Sequence, residues 1–171
     1  MKGPDPRLAG LLRAAARARA RAYAPYSGFQ VGAAVLAGGR VFAAANVENS
    51  AYPLSVCAER NAVAMAIAAG HRRIEAVAVV GGEGQPAAPC GGCRQVLSEF
   101  CAPRTPIAYA ASGGGAVTTT IAALLPHSFG PADLLRAAEP GSRSSARGLA
   151  GIRRTAPPAR GTRSSARRRS R

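Results

Sequence analysis

Residues 74–101 read IEAVAVVGGEGQPAAPCGGCRQVLSEFC, in which an apolar run leads through a loop to a pair of cysteines. The β-branched run over residues 74–81 predicts a strand that is buried on both faces of a sheet. The glycines and prolines of residues 82–89 predict a loop, and residues 91–101 are predicted to form the next helix. This strand–loop–helix unit is typical of an α/β fold.

Outward from this stretch, helical and extended patterns alternate along the chain. Helices are predicted at 5–22, 57–69 and 131–138, and strands at 106–111, at 116–121 after a triple-glycine turn, and within 29–47, where Gly38 and Gly39 join two of them. The order α-β-β-α-β-α-β-β-α predicts an α/β fold, namely a three-layer α-β-α sandwich around a mixed five-stranded sheet.

Positive charge is concentrated at the C-terminal end of the chain. The 171 residues have a net charge of +15 and are 47% hydrophobic, but residues 140–171 contain ten arginines and no acidic residue. With few apolar residues to bury, we predict that 140–171 is a disordered basic tail behind a catalytic domain of residues 1–139. Such a tail permits electrostatic contact with nucleic acid, but a solvated extension without a role is the simpler interpretation.

The N-terminal residues lack the apolar segment of a secretory signal peptide. A cytoplasmic location is therefore expected, where clustered cysteines more often bind metal or perform redox chemistry than form disulfides. The arginine-rich residues 5–22 are also compatible with an organellar transit peptide, although the solvated face of a first helix is the preferred interpretation. The longest apolar run, residues 62–69, is too short to span a bilayer, so no membrane association is expected.

Cys90 and Cys93 form a Cys-x-x-Cys pair, which is compatible with a redox centre, a metal site or a chance spacing. Cys57 also lies where a helix is predicted to begin, and a helix N-terminus favours the thiolate that a metal requires. If the two helices lie side by side, three thiolates converge and suit a catalytic zinc with an open fourth position. Cys101 is assigned to the core, because it lies about 12 Å further along the helix axis than Cys93.

Charged residues beside these cysteines suggest how such a site would work. Glu59, two residues after the first cysteine, is placed to take a proton from zinc-bound water and return it to a leaving group. Its alternative role is that of a charge partner for the helix dipole. Arg60 and Arg94 are candidates for withdrawing charge from the thiolates, although Arg94 equally suits a solvated helix position. The two histidines, His71 and His127, are expected at the surface rather than among the ligands.

Five motifs occur in the order of a known enzyme family: YAPYSGFQVGAA (23–34), NVENSAY (46–52), CAERNA (57–62), PCGGCRQ (89–95) and LLPHSF (124–129). Over residues 6–138 the sequence resembles the cytidine deaminases of the small, homotetrameric, zinc-dependent type. The resemblance implies hydrolytic deamination of cytidine and deoxycytidine for pyrimidine salvage, with one Zn²⁺ per chain. It further implies that Glu59 deprotonates zinc-bound water, that the hydroxide attacks C4 of the base, and that Glu59 then protonates N3 and the departing ammonia.

The resemblance also implies contacts with the nucleoside. Asn46 and Glu48 match residues that bind the ribose 3′-hydroxyl, and Phe29 matches an aromatic that stacks on the base. Phe129 matches an aromatic that a neighbouring subunit of the homotetramer contributes. By spacing alone, either phenylalanine would be assigned to the core. Three further matched positions are Ala58, a backbone contact to the base, Tyr52, a subunit-boundary residue near the sugar, and Gln95, which has no assigned role.

Three other functions fit parts of this pattern. A deaminase of a related nucleoside such as blasticidin S would share the metal site, but Asn46, Glu48 and the two phenylalanines favour cytidine. An editing deaminase must admit a polymer, which a neighbour's Phe129 would obstruct. A zinc-stabilised binding module would want a fourth ligand and would not need Glu59.

Overall fold

Helices and strands alternate along residues 5–138, the part of the chain that the structure, a computed structural model, describes. The helices are α1 (Pro6–Arg19), α2 (Ala58–Ala68), α3 (Gly91–Phe100), α4 (Ile121–Leu124) and α5 (Pro131–Ala138). The strands are β1 (Val31–Ala37), β2 (Arg40–Ala45), β3 (Ala76–Gly81), β4 (Pro106–Ala111) and β5 (Gly114–Thr120). The described residues up to Leu134 belong to one compact unit.

The five strands form one mixed sheet in the order β2-β1-β3-β4-β5. β1 is antiparallel to both of its neighbours, β3 and β4 are parallel, and β5 is antiparallel to β4. All six residues of the central strand β3 are buried, because helices cover both of its faces. A continuous apolar run was the sequence signal for this burial, and the predicted mixed five-stranded sheet is confirmed.

Two apolar clusters define the outer layers of the sandwich. On one face, Leu8 and Leu11 of α1 pack on small side chains of the sheet such as Ala78. On the other face, α2 and α3 contribute residues such as Ala62 and Leu97, which pack on the opposite side of the same strands. The three-layer α-β-α arrangement is therefore confirmed. Because α2 and α3 lie on the same face of the sheet, their N-termini can lie side by side.

The element boundaries differ from the predicted ones in the second half of the chain. β5 begins at Gly114, so two of the three glycines lie in the strand instead of the turn. Gly114 and Gly115 have φ angles of 114° and 74°, and the register of β4 with β5 shifts beside them, which explains why glycine is needed there. A short helix, α4, follows β5 directly and was not predicted. Its cap is Thr120, whose side chain accepts a hydrogen bond from the amide of Ala123.

The first helix ends earlier than predicted, at Arg19, and a single 3₁₀ turn (Tyr52–Leu54) interrupts the loop before α2. Among residues 5–138, no helix has both the length and the apolar character that crossing a bilayer requires. Residues 139–171 lie outside the described residues. The boundary of the catalytic domain at 139 and the disordered tail therefore stay predictions.

Candidate metal centre

Three cysteine side chains meet at the adjoining N-termini of α2 and α3. Cys57 and Cys90 are the N-cap residues of the two helices, and Cys93 lies in the first turn of α3. The cap residues have extended backbones, and neither sulfur caps its own helix, so both Sγ atoms are free for another partner. The three Sγ atoms all lie within 4.8 Å of one another.

The sulfur spacing fits a metal ion better than a disulfide. All four cysteines are free thiols, and the Sγ atoms of Cys57 and Cys90 are 3.9 Å apart. Two thiolates bound to one zinc at about 2.3 Å in a tetrahedral arrangement would lie about 3.8 Å apart. The donor set, three sulfurs without a fourth protein ligand in the group, is the type that leaves one coordination position for water.

The thiols influence one another's ionisation. The pKa of Cys57 is lowered to about 6, chiefly by a hydrogen bond from the Cys93 side chain, while burial and the nearby charge of Glu59 oppose this shift. The pKa of Cys93 is raised because that thiol donates to Cys57 and is partly desolvated. Cys57 is thus the first of the pair to become the thiolate that a metal binds.

Glu59 lies in the first turn of α2, two residues after Cys57. Its side chain is almost completely enclosed, with the residue only 4% exposed, and burial is the main reason why its pKa is raised. A hydrogen bond with the Cys93 side chain acts in the opposite direction. A carboxyl group that is buried beside the thiols and can hold a proton is suited to carrying one between two reacting atoms.

The two arginines near the cysteines behave differently from each other. Arg60 is exposed, and its positive charge lowers the pKa of Cys57, in the direction expected for a residue that withdraws charge from the thiolates. Arg94 instead donates from Nε to the carbonyl oxygen of Pro89 at 2.8 Å and from Nη1 to that of Leu124 at 3.1 Å. Its guanidinium therefore links the segment before α3 to the end of α4 through backbone carbonyl oxygens. The sequence predicted neither contact, because it offered only charge withdrawal from the thiolates or a solvated helix position.

Cys101 is separate from the thiol cluster, as predicted. It is the C-cap residue of α3, and its backbone forms an isolated parallel β-bridge with that of Ile74. Burial raises the pKa of its thiol to about 12, which keeps that thiol neutral. Neither histidine belongs to the thiol group; His127 is exposed and His71 is half-buried. The ring of His71 packs 5.5 Å from that of Phe42, and its Nε2 is buried without a hydrogen-bond partner in the described part of the chain.

Asn46 and Glu48 lie next to the first cysteine because of a short β-bridge. Val47, between them, exchanges backbone hydrogen bonds of 3.0 and 2.9 Å with Val56, the residue before Cys57. Both polar side chains therefore emerge beside the N-terminus of α2. This is the arrangement that a ligand spanning the metal and a neighbouring polar group would need.

Both side chains also hold the loop that precedes β1. Asn46 donates to the carbonyl oxygen of Phe29 at 2.9 Å and accepts from the amide of Val31 at 2.8 Å. Glu48 accepts hydrogen bonds from the hydroxyl and the amide of Ser27, and the hydroxyl bond is the main reason why its pKa is lowered. Ser27 was missed at the level of sequence, where its only signal is a serine in a Pro/Gly turn.

The remaining candidate substrate contacts differ in exposure. Ala58 is fully buried in the first turn of α2. Phe29, Tyr52 and Phe129 are 49%, 70% and 57% exposed, so none of the three belongs to the core of this chain. Phe129 lies in the loop between α4 and α5, and its carbonyl oxygen accepts a 2.7 Å hydrogen bond from Nε2 of Gln95.

Comparison with known proteins agrees with this geometry. A family model described as the cytidine and deoxycytidylate deaminase zinc-binding region matches residues 7–109. The chain belongs to this family. A zinc-binding region in the family, together with three clustered thiols in this chain, identifies the cofactor as Zn²⁺.

Relatives that are named cytidine deaminase are similar to this chain over most of their length. The cytidine deaminase of Sporosarcina psychrophila is 45% identical over 130 residues, which cover 75% of this chain and 96% of the relative. The crystal structure of cytidine deaminase from Burkholderia pseudomallei matches with a TM-score of 0.68 and 46% identity, over 71% of this chain and 98% of that one. For the structure from Mycobacterium tuberculosis the TM-score is 0.64 and the identity 40%, over 74% and 99% of the two chains. These similarities confirm the predicted fold.

Proposed function

We propose that this protein is a cytoplasmic cytidine deaminase of pyrimidine salvage, which hydrolyses cytidine and deoxycytidine to uridine and deoxyuridine. The observation that carries the proposal is the cluster of three thiols, one of which, Cys93, contacts the buried carboxyl group of Glu59. Relatives that are named cytidine deaminase support the choice of substrate. The cytoplasmic location is inferred from the clustered cysteines, because in a reducing compartment such clusters bind metal more often than they form disulfides.

In this proposal Cys57, Cys90 and Cys93 hold one zinc ion per chain. When bound, zinc supplies a nucleophilic water at neutral pH by lowering its pKa. The positive charge of Arg60 offsets part of the charge of three thiolates. The adjoining helix N-termini also stabilise those thiolates through their partial positive charge.

Glu59 moves the protons of the reaction. Its carboxylate takes a proton from the attacking water and passes it to N3 of the base as oxygen bonds to C4. It then takes the remaining proton from the new hydroxyl group on C4 and delivers it to the amino group, which leaves as ammonia as the C4–N bond breaks. The net change is the loss of ammonia and the gain of the carbonyl oxygen of uridine, with Glu59 restored. Burial of the carboxyl group supports this role, because it keeps the transferred proton away from bulk water.

The nucleoside would lie between the metal centre and the loops around Asn46 and Glu48. Each of these side chains retains hydrogen-bonding capacity for the 3′-hydroxyl of the ribose beyond its contacts with the loop. Phe29 would stack on the base, and the backbone of Ala58 would contact its edge. Two exposed aromatic residues would complete the site across subunit boundaries of a homotetramer: Tyr52 near the sugar and Phe129 from a neighbouring subunit.

Ultraviolet spectroscopy tests the proposal directly, because deamination shifts the absorbance of the cytosine ring. The zinc-loaded protein should convert cytidine and deoxycytidine, while blasticidin S and cytosines in single-stranded DNA should be converted at least about 100-fold more slowly. The nucleic-acid comparison is informative because a polymer needs an open pocket. Turnover of either alternative substrate at a rate equal to that of cytidine would contradict the proposed function.

A further inference from the structure

Two successive residues of α3 hold both ends of the loop that carries Phe129. Arg94 donates to the carbonyl oxygen of Leu124, at the last residue of α4, and Gln95 donates to that of Phe129 itself. The loop in question is residues 125–130, which connects α4 to α5. The aromatic residue is therefore fixed through its own backbone rather than through burial of its ring, which is 57% exposed.

The turn of α3 that contains Arg94 and Gln95 also contains Cys93, a member of the thiol group. Successive residues of an α-helix point about 100° apart, so Cys93, Arg94 and Gln95 face three directions. Cys93 is fully buried in the thiol cluster, whereas Gln95 is exposed and reaches the loop. One helical turn thus contacts the candidate zinc site and the loop of Phe129 at the same time.

We propose that Gln95 is a positioning residue for the composite active site, which orients Phe129 for insertion into the substrate pocket of a neighbouring subunit. This inference rests on the proposed function, in which that pocket binds cytidine and is completed by the neighbour. A loop held in its bound geometry loses less conformational entropy when the ring packs against a ligand. Gln95 touches neither the metal nor, in this account, the substrate.

Two substitutions remove the hydrogen bond in different ways. Gln95→Ala deletes the amide, and Gln95→Glu keeps its size but replaces the donor with a group that repels the carbonyl oxygen of Phe129. A net hydrogen bond of ordinary strength predicts a rise in KM for cytidine of about 3- to 10-fold in Gln95→Ala and at least as much in Gln95→Glu. The value of kcat should change less than about 2-fold, and zinc content should stay at one per chain.

Glu99→Ala is the matched control, since Glu99 is an exposed side chain of similar length on the same helix. It should leave KM and kcat unchanged. The decisive comparison is a double-mutant cycle with Phe129→Ala. If Gln95 acts through Phe129, adding Gln95→Ala to the Phe129→Ala protein should raise KM no further.

The outcomes separate this inference from the proposed function. An unchanged KM in both Gln95 variants, fully additive effects in the cycle, or loss of zinc from the Gln95 variants would overturn the role of Gln95 alone. If Phe129→Ala itself binds cytidine normally, the composite site fails, and the inference about Gln95 fails with it. Absence of any cytidine deamination by the zinc-loaded parent protein would contradict the proposed function first.

Discussion

At the scale of single residues, backbone geometry explains why cysteine suits two of the three candidate ligand positions. As N-cap residues, Cys57 and Cys90 have extended backbones that turn their sulfurs away from the helices and toward each other. A serine or aspartate at either position would instead favour capping of the helix amides. The cysteines thus leave the helix ends available to stabilise negative charge on the thiolates.

Replacing one of these cysteines should remove the metal. We expect Cys90→Ala to lose zinc and all detectable deamination, because two thiolates and a water do not supply the three protein ligands of a catalytic site. Cys101→Ala should keep both properties, since its neutral thiol lies at the opposite end of α3. Metal analysis of the two purified variants decides this. Loss of zinc from Cys101→Ala would show that the ligands are assigned wrongly.

The sequence predicted this cluster because its members occupy local motifs at helix starts. It did not predict the contacts of Arg94, since one of the carbonyl oxygens that this residue binds belongs to a segment 30 positions away. The environment of His71 was missed for a similar reason. Its ring meets Phe42 and Gly38 only once the β1–β2 hairpin has formed.

At the scale of elements, Gly32 determines how closely α1 can approach the sheet. A Cβ atom at this position would overlap the carbonyl oxygen of Ala15 and the backbone of Arg19. The helix and strand β1 therefore pack backbone against backbone. The sequence placed this glycine inside a predicted strand, but the need for it appears only when the helix is docked.

Gly32→Ala should consequently destabilise the fold. Overpacking of a tight contact costs about 1–3 kcal/mol, and here the overlapping atoms belong to backbone that cannot rotate away. Gly10→Ala is the control, because a Cβ atom there would meet only the end of the Arg13 side chain, at 3.9 Å. This helix substitution should stabilise the protein by about 0.5–1 kcal/mol. Urea unfolding measures both changes, and equal midpoints for Gly32→Ala and the parent protein would refute the close contact.

At the scale of the whole molecule, the sequence predicted the layers and the sheet, while the short element α4 and the start of β5 required the structure. The reason is that α4 has only four residues, so its local pattern is too short to distinguish from the end of a strand. The larger question at this scale is assembly. Phe129 and Tyr52 are large apolar side chains that solvent reaches in the single chain, and in the proposed homotetramer a partner subunit would cover them.

Removing one of these rings should weaken substrate binding without affecting the metal. For Phe129→Ala we expect KM for cytidine to rise about 10-fold or more, since in the proposed composite site this aromatic ring packs against the bound nucleoside. Zinc content should be unchanged. Light scattering alongside the assay provides the check on assembly. A fully active monomer of the parent protein at low concentration would rule out composite sites.

The basic C-terminal segment should be dispensable for catalysis. Its ten arginines have few apolar neighbours to anchor them, so folding gains little from residues 140–171. A protein truncated after Glu139 should keep zinc, the oligomeric state of the full chain and turnover on cytidine, and should lose any salt-sensitive binding of nucleic acid that the full chain has. The prediction would be contradicted if truncation abolished cytidine turnover, or if only the full chain deaminated single-stranded nucleic acid. Either result would show that the tail takes part in catalysis.

The central claim, that Glu59 moves the proton beside a three-cysteine zinc centre, is tested most directly by the rate of cytidine deamination in Glu59→Gln. The glutamine has nearly the same size but cannot accept and return a proton. We expect one zinc per chain in this variant and a fall in kcat of at least about 10²-fold, the usual scale for a lost general acid and base. A zinc-loaded Glu59→Gln protein that turns over cytidine at close to the parent rate would contradict it.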